Sequence, residues 1–168
     1  SGGLVVCKDK SSLDKTAANE KIEKSLKRNY YWSGREWPYK NVPPQIIAEK
    51  YMSNNQENDS EETSFNTNEV DDLKDYKFYC FNGTMKFVMI NSDRNSDKPT
   101  KADYFDRNFN WLDFTWGYGH AEIRPERPDK FEEMIFLAEK LSKGLPHIRV
   151  DFYECNGRVY FGELTFYD

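Results

Sequence analysis

The sequence predicts an α+β fold built mainly from antiparallel strands with a few helices. Three features predict it: two Asn-Gly pairs, each flanked by strand-like runs, and one segment of strong helical period between them. The first hairpin reads Lys77-Phe78-Tyr79-Cys80-Phe81, then Asn82-Gly83, then Met85 to Ile90. The helix opens at Pro128, carries Phe131, Met134, Ile135, Leu137, Ala138 and Leu141, and stops at Gly144 and Pro146. The second hairpin runs from Ile148 to Glu154, through Asn156-Gly157, and back from Val159 to Phe166.

The first third is read less sharply. Ser1-Gly2-Gly3 and the apolar run Leu4-Val5-Val6-Cys7-Lys8 predict a glycine loop followed by a strand. Ser11 or Ser12 offers an N-cap for a helix whose stripe is Leu13, Ala17, Ile22 and Leu26. The aromatic segment from Tyr30 to Tyr39 predicts a loop that packs its rings on the domain body. After Pro43-Pro44, the apolar centre of Gln45 to Met52 predicts a buried strand. From Ser53 to Asp72 there is no Lys or Arg while acids are frequent, so the chain cannot bury enough apolar surface there to offset its ordering entropy. A mobile acidic surface insertion or an unusually long hairpin loop is expected, and residues 91–121 are expected to be irregular.

Charged residues make up 32% of the chain, and no apolar run approaches the roughly 20 residues needed to span a bilayer. No signal peptide is recognisable, so a cytoplasmic protein is expected. A net charge of −5 without a basic stripe argues against nucleic acid as a partner. Cys7, Cys80 and Cys155 show no metal spacing and read as buried small hydrophobes. His120 and His147 likewise lack a ligand spacing.

The chemistry concentrates in the last hairpin. Arg149 and Asp151 alternate with Ile148, Val150 and Phe152, so the polar pair shares one face; on the return strand Glu163 and Thr165 share a face. Inward charges on facing strands are costly unless paired or used. Two readings stand: a magnesium site, because two carboxylates suit a hard cation, or an Arg149–Glu163 cross-strand pair on a half-wet sheet. The metal reading sets a parity condition. A two-residue Asn-Gly turn pairs residues whose numbers sum to an odd value, which would put Asp151 and Glu163 on opposite faces. A shared site therefore requires a bulge or an odd-length loop, and a three-residue Cys155-Asn156-Gly157 loop is the form expected.

Arg149-x-Asp151 followed by Glu163-x-Thr165 resembles the end of an ATP-grasp domain. The wording is closest to the teichuronopeptide-biosynthesis-type (TupA-like) ATP-grasp family, often labelled glycosyltransferase or polysaccharide-biosynthesis protein. Carrying the resemblance are Arg35-Glu36-Trp37-Pro38-Tyr39, the segment Asp75 to Gly83, Val150-Asp151-Phe152-Tyr153, and Tyr160 to Phe166. It implies two lobes around a nucleotide crevice: a small lobe at 1–52, the insertion at 53–71 and a large lobe at 72–168, in a fragment lacking both ends. It implies ATP and Mg²⁺ as cofactors, with Asp151, Glu163 and Thr165 at the metal and Arg149 as the catalytic residue beside the transferred phosphoryl group. Gly2 and Gly3 would end the loop over the phosphates, Glu49 and Tyr51 would hold adenine through main chain, and Asp75 and Lys77 would complete the nucleotide site. Thr165 departs from the superfamily pattern, which has Asn there. The implied activity is a carboxylate–amine ligase acting through an acylphosphate, with a polysaccharide or a uronic-acid and amino-acid pair as acceptor partner. A metal-dependent glycosyltransferase is the rival, although no Asp-x-Asp occurs. A non-catalytic carbohydrate-binding module is the third reading, motivated by Trp32, Trp37, Trp111 and Trp116.

Overall fold

A computed structural model describes residues 3–52, 73–92 and 99–167. The acidic stretch and Gly2 lie outside the described residues. The chain divides into two compact units, Ser1–Tyr51 with Tyr167, and Met52–Phe166 with Asp168.

In the second unit, six strands among the described residues form one antiparallel sheet of order β4-β3-β2-β1-β5-β6. They are β1 (Asp75–Phe81), β2 (Thr84–Ser92), β3 (Lys101–Phe105), β4 (Trp111–Leu112), β5 (His147–Cys155) and β6 (Arg158–Thr165). Both hairpins turn as their Asn-Gly pairs dictate. Asn82 and Gly83 have φ of 49° and 75°, and Asn156 and Gly157 have 50° and 68°. Positive φ at both central residues matches the right-handed twist of the flanking strands.

One helix packs on one face of this sheet. It spans Phe131–Ser142 (α3 below), three residues after Pro128, with Glu132 and Glu133 in its first turn, where the helix dipole favours carboxylates. Phe131, Met134, Ile135 and Ala138 are buried against Tyr76, Phe78, Cys80, Met85, Val88, Ile90, Phe105, Ile148, Val150 and Phe152. The Phe131 ring lies 5.8 Å from Phe78 and 5.1 Å from Phe109. The opposite face carries a separate small aromatic core of Tyr79, Met89, Ala102 and Tyr104.

The stretch expected to be irregular contains β3 and β4. Neither has a clean alternation, because Asp103 is fully buried within β3 and β4 is only two residues long. Asp103 accepts from Trp111 Nε1 and Ala121 N, each at 3.2 Å, and His120 Nδ1 lies 3.2 Å from its Oδ1, so a buried carboxylate anchors the loop leaving the sheet. Between the strands, Asp106 Oδ1 accepts from Asn108 and Asn110 N at 2.8 Å.

In the first unit, a 3₁₀ turn at Lys10–Ser12 precedes α1 (Lys15–Leu26). The helix cap is Asp14, whose carboxylate accepts from Ala17 N at 3.0 Å; the expected Ser11 and Ser12 lie in the 3₁₀ turn, capped by Asp9. The expected strands at residues 4–8 and 45–52 do not form. Among the described residues no strand pairs with either, and an apolar run without a ladder partner has no reason to hold strand geometry. Ile46 and Ile47 are exposed, not buried. The aromatic segment forms a short helix, α2 (Tyr31–Gly34), and a 3₁₀ turn at Trp37–Tyr39. Trp32 and Trp37 are exposed and lie under cations: Arg35 sits 4.9 Å from the Trp32 ring and Lys40 4.6 Å from the Trp37 ring. Cys7 is only half-buried, whereas Cys80 and Cys155 are buried as expected. Burial raises the Cys80 thiol pKa, with a smaller opposing contribution from Ser142, which keeps it protonated and unreactive.

Replacing Phe131 with Ala should cost about 3–5 kcal/mol in urea unfolding, the usual range for emptying a core aromatic site. Phe136→Ala, on the exposed side of the same helix, should change stability by no more than about 0.5 kcal/mol. Tyr76 supplies an alkaline test. Burial, then the charges of Glu154 and Asp129, push its phenol up to about 12. An unfolded phenol ionises near 10, so the Tyr76 contribution should be intact below pH 10 and lost as pH rises towards about 12. Tyr76→Phe should flatten that alkaline limb in unfolding measured across pH.

Candidate active site

The polar face of β1, β5 and β6 holds a connected ionic cluster. Register places Lys77 opposite Asp151, Tyr79 opposite Arg149 and Asp75 opposite Tyr153. The period of two along each strand therefore brings Asp75, Lys77, Arg149 and Asp151 to one face, and all four are buried. Asp151 is the centre. Its Oδ1 accepts from Arg149 Nε at 2.7 Å and its Oδ2 from Arg149 Nη2 at 3.0 Å, while Lys77 Nζ donates to the same Oδ2. Lys77 also pairs with Asp75 at 2.8 Å. Glu163 joins from β6, its Oε1 accepting from Arg149 Nη2 at 2.7 Å and from Thr165 Oγ1 at 3.3 Å. Unlike the others, Glu163 is largely exposed.

How Glu163 reaches this face corrects one expectation and satisfies another. The turn has two residues, with Cys155 opposite Arg158, so the three-residue loop is absent. The irregularity sits further along. Phe152 faces Phe161 but Val150 faces Leu164, leaving Asp151 opposite both Gly162 and Glu163. That two-against-one bulge shifts the parity and puts Glu163 and Thr165 on the face of Asp151. Gly162 makes it possible, because a Cβ there would lie 2.9 Å from the Tyr153 ring and 3.1 Å from the Asp151 carbonyl oxygen.

Of the sequence-predicted residues, six meet here: Asp75, Lys77, Arg149, Asp151, Glu163 and Thr165. Gly3, Glu49 and Tyr51 belong to the first unit. Glu49 and Tyr51 are exposed and outside any helix or strand, and Lys8 Nζ lies 5.3 Å from the Tyr51 ring. That unit also has a cleft of about 350 Å³ between residues 4–9 and α1. Among the described residues no connected group of buried ions lines it, whereas the β1–β5–β6 cluster is such a group. Sequence reasoning passed over Gly162, whose signal is a glycine between two apolar strand residues and the acidic Glu163.

Among the described residues, no three His, Cys, Asp or Glu side chains converge as a complete metal set. The cluster nevertheless suits Mg²⁺ in its donor chemistry. Asp151 and Glu163 both contact Arg149 Nη2, so their bonded oxygens lie within about 6 Å of each other. Mg²⁺ is commonly held by one or two carboxylates together with substrate phosphates and water.

The model of the TupA-like ATPgrasp family matches residues 1–168. The chain belongs to this family. Its α+β fold, with one six-stranded antiparallel sheet among the described residues, is ATP-grasp-like. No curated protein and no solved structure gives a match. No helix among the described residues is long and apolar enough to cross a membrane.

Asp151→Ala should destabilise this family member by about 3–5 kcal/mol, since it strands two buried cations. Glu163→Gln, at an exposed position, should cost less than about 1 kcal/mol. Gly162→Val should lower the denaturation midpoint more than Val159→Ala does, because its branched side chain meets backbone and ring together. Urea titrations of the four variants check the order.

Proposed function

We propose that this chain is the nucleotide-binding core of an ATP- and Mg²⁺-dependent ligase-like enzyme of cell-surface polysaccharide biosynthesis. In this reading residues 1–52 are the small lobe and 72–168 the large lobe, working in the cytoplasm where ATP is available. The observation that carries it is the bulge at Gly162, which gathers Asp151, Glu163 and Arg149 on one face.

A carboxylate oxygen of one substrate attacks the γ-phosphorus of ATP, ADP leaves, and an acylphosphate forms. An amine then attacks the acyl carbon, phosphate leaves, and the amine gives up a proton. Such transfer depends on positioning and on neutralising spread negative charge. Arg149 supplies a planar guanidinium already held by two carboxylates, aimed by strand geometry rather than by a loop. Lys77 supplies a second cation one cross-strand pair away. Asp151 and Glu163 would hold Mg²⁺, which when bound adds positive charge beside the phosphate oxygens, and Thr165, whose hydroxyl donates to Glu163 at 3.3 Å, would be the third ligand. Asp75 would face the ribose side. Gly2 and Gly3 would cover the phosphates, and the main chain at Glu49 and Tyr51 would hold adenine.

Calorimetric titration tests the reading. ATP should bind in Mg²⁺ and lose most of its affinity in EDTA, and Glu163→Gln should remove that metal dependence while the protein stays folded. A sugar nucleotide binding in place of ATP would favour the glycosyltransferase reading instead. For the adenine contact, Glu49→Ala should weaken ATP no more than about threefold, because main chain does the recognition. Tyr51→Pro, which deletes a backbone donor, should weaken it by at least about tenfold. Equal tolerance of both changes would refute the hinge assignment.

A further inference from the structure

The polar face of β1 and β5 changes character along its length. Its cross-strand pairs run Asp75 with Tyr153, Lys77 with Asp151, Tyr79 with Arg149 and Phe81 with His147. If Asp75 lies by the ribose and Asp151 by the phosphates, Arg149 marks the point of transfer. The next step along the same strands is then the place of the second substrate. From Lys77 to Phe81 that is four residues, or roughly 13 Å.

Beyond Arg149 this face is aromatic and open. The Phe81 ring lies 4.7 Å from His147, and Tyr79 lies 6.4 Å from His147 and 5.8 Å from Trp116. Tyr79 is buried, stacked on Phe87 at 4.5 Å, and forms the floor. Trp116 is 50% exposed and Phe81 37%, so ring surface faces outward beside an ionic site. The backbone that carries Trp116 is held in place: Tyr104 Oη donates to the Trp116 carbonyl at 3.0 Å, and Trp116 bridges to Tyr118. The tilted rings of Tyr79, Trp116, Phe81 and His147, with Arg149 opposite Tyr79, fit a ligand with one apolar ring face and a polar edge. A pyranose has that form: axial C–H groups on one face and hydroxyls around the rim.

We propose that Trp116, with Phe81 and His147, forms the acceptor subsite, which takes a pyranose ring by stacking and turns its reacting group towards Arg149. The proposal rests on the ligase reading for the direction of the substrate line. Trp116 sets acceptor specificity and takes no part in holding ATP.

The test is calorimetry of the 168-residue chain with ATP–Mg²⁺ and, separately, with tetraglucuronate and cellotetraose as probes. At least one oligosaccharide should bind. Trp116→Ala should weaken it by at least about tenfold, as for loss of a large stacked ring at a binding hot spot. Trp116→Phe should recover part of the loss, and ATP–Mg²⁺ affinity should stay within twofold throughout. Equal weakening of ATP and oligosaccharide would overturn the proposal by assigning the platform to the base. So would ATP binding with neither oligosaccharide bound, which leaves the ligase reading standing. Oligosaccharide binding that needs Trp116 in a chain that does not bind ATP would support the subsite and remove the ligase reading. Failure to bind either would remove both.

Discussion

Asp151 is a carboxylate almost wholly removed from water, and the rest of the polar face is arranged around that cost. An ion taken out of water is penalised by several kcal/mol even after relaxation, and only close partners with good geometry offset it. Here Arg149 grips both oxygens from two residues away on the same strand, and Lys77 reaches one of them from the strand opposite. Both cations are themselves buried, so each depends on the carboxylate as much as it depends on them. Asp75 balances Lys77, and Glu163 balances Arg149. β1 and β5 are interior strands of the sheet, where charged side chains can be enclosed, and of the five ionic residues only Glu163 sits on the outer strand facing water.

Much of this could be read from residue types. Two-residue periodicity around Arg149 and Asp151, and Asn-Gly pairs with their tolerance of positive φ, define both hairpins before any coordinates. Phe131, Met134, Ile135 and Ala138 define the face of the helix. The failures have physical causes. Residues 4–8 and 45–52 are apolar enough for strands, but composition does not say whether a partner strand exists, and pairing is what makes a strand. β3 and β4 escape notice because a buried Asp103 breaks the apolar pattern, and its partners, Trp111 in β4 and Ala121 and His120 in the loop beyond, lie well along the chain. Parity arithmetic demanded an irregularity between Asp151 and Glu163 but not its place. Gly162 holds the place, since a glycine inside a strand often marks a bulge or a close backbone approach.

The balance of charge also bears on why such a cluster exists. Replacing a buried ionic group by well-packed apolar residues is often neutral or stabilising, so stability alone is a poor reason to keep five ionisable side chains on one sheet face. Two cations meet three carboxylates, with the surplus negative charge nearest the solvent at Glu163. The guanidinium and the ammonium are each paired with carboxylates. In the proposed reading, a polyphosphate arriving with a divalent cation would exchange those partners, cations turning to phosphate and carboxylates to metal, so that the buried charges stay compensated. Such an exchange needs the partners to start adjacent and on one face. In this chain a single extra residue at Gly162 secures that adjacency, by setting Glu163 beside Asp151 and Arg149 instead of behind the sheet.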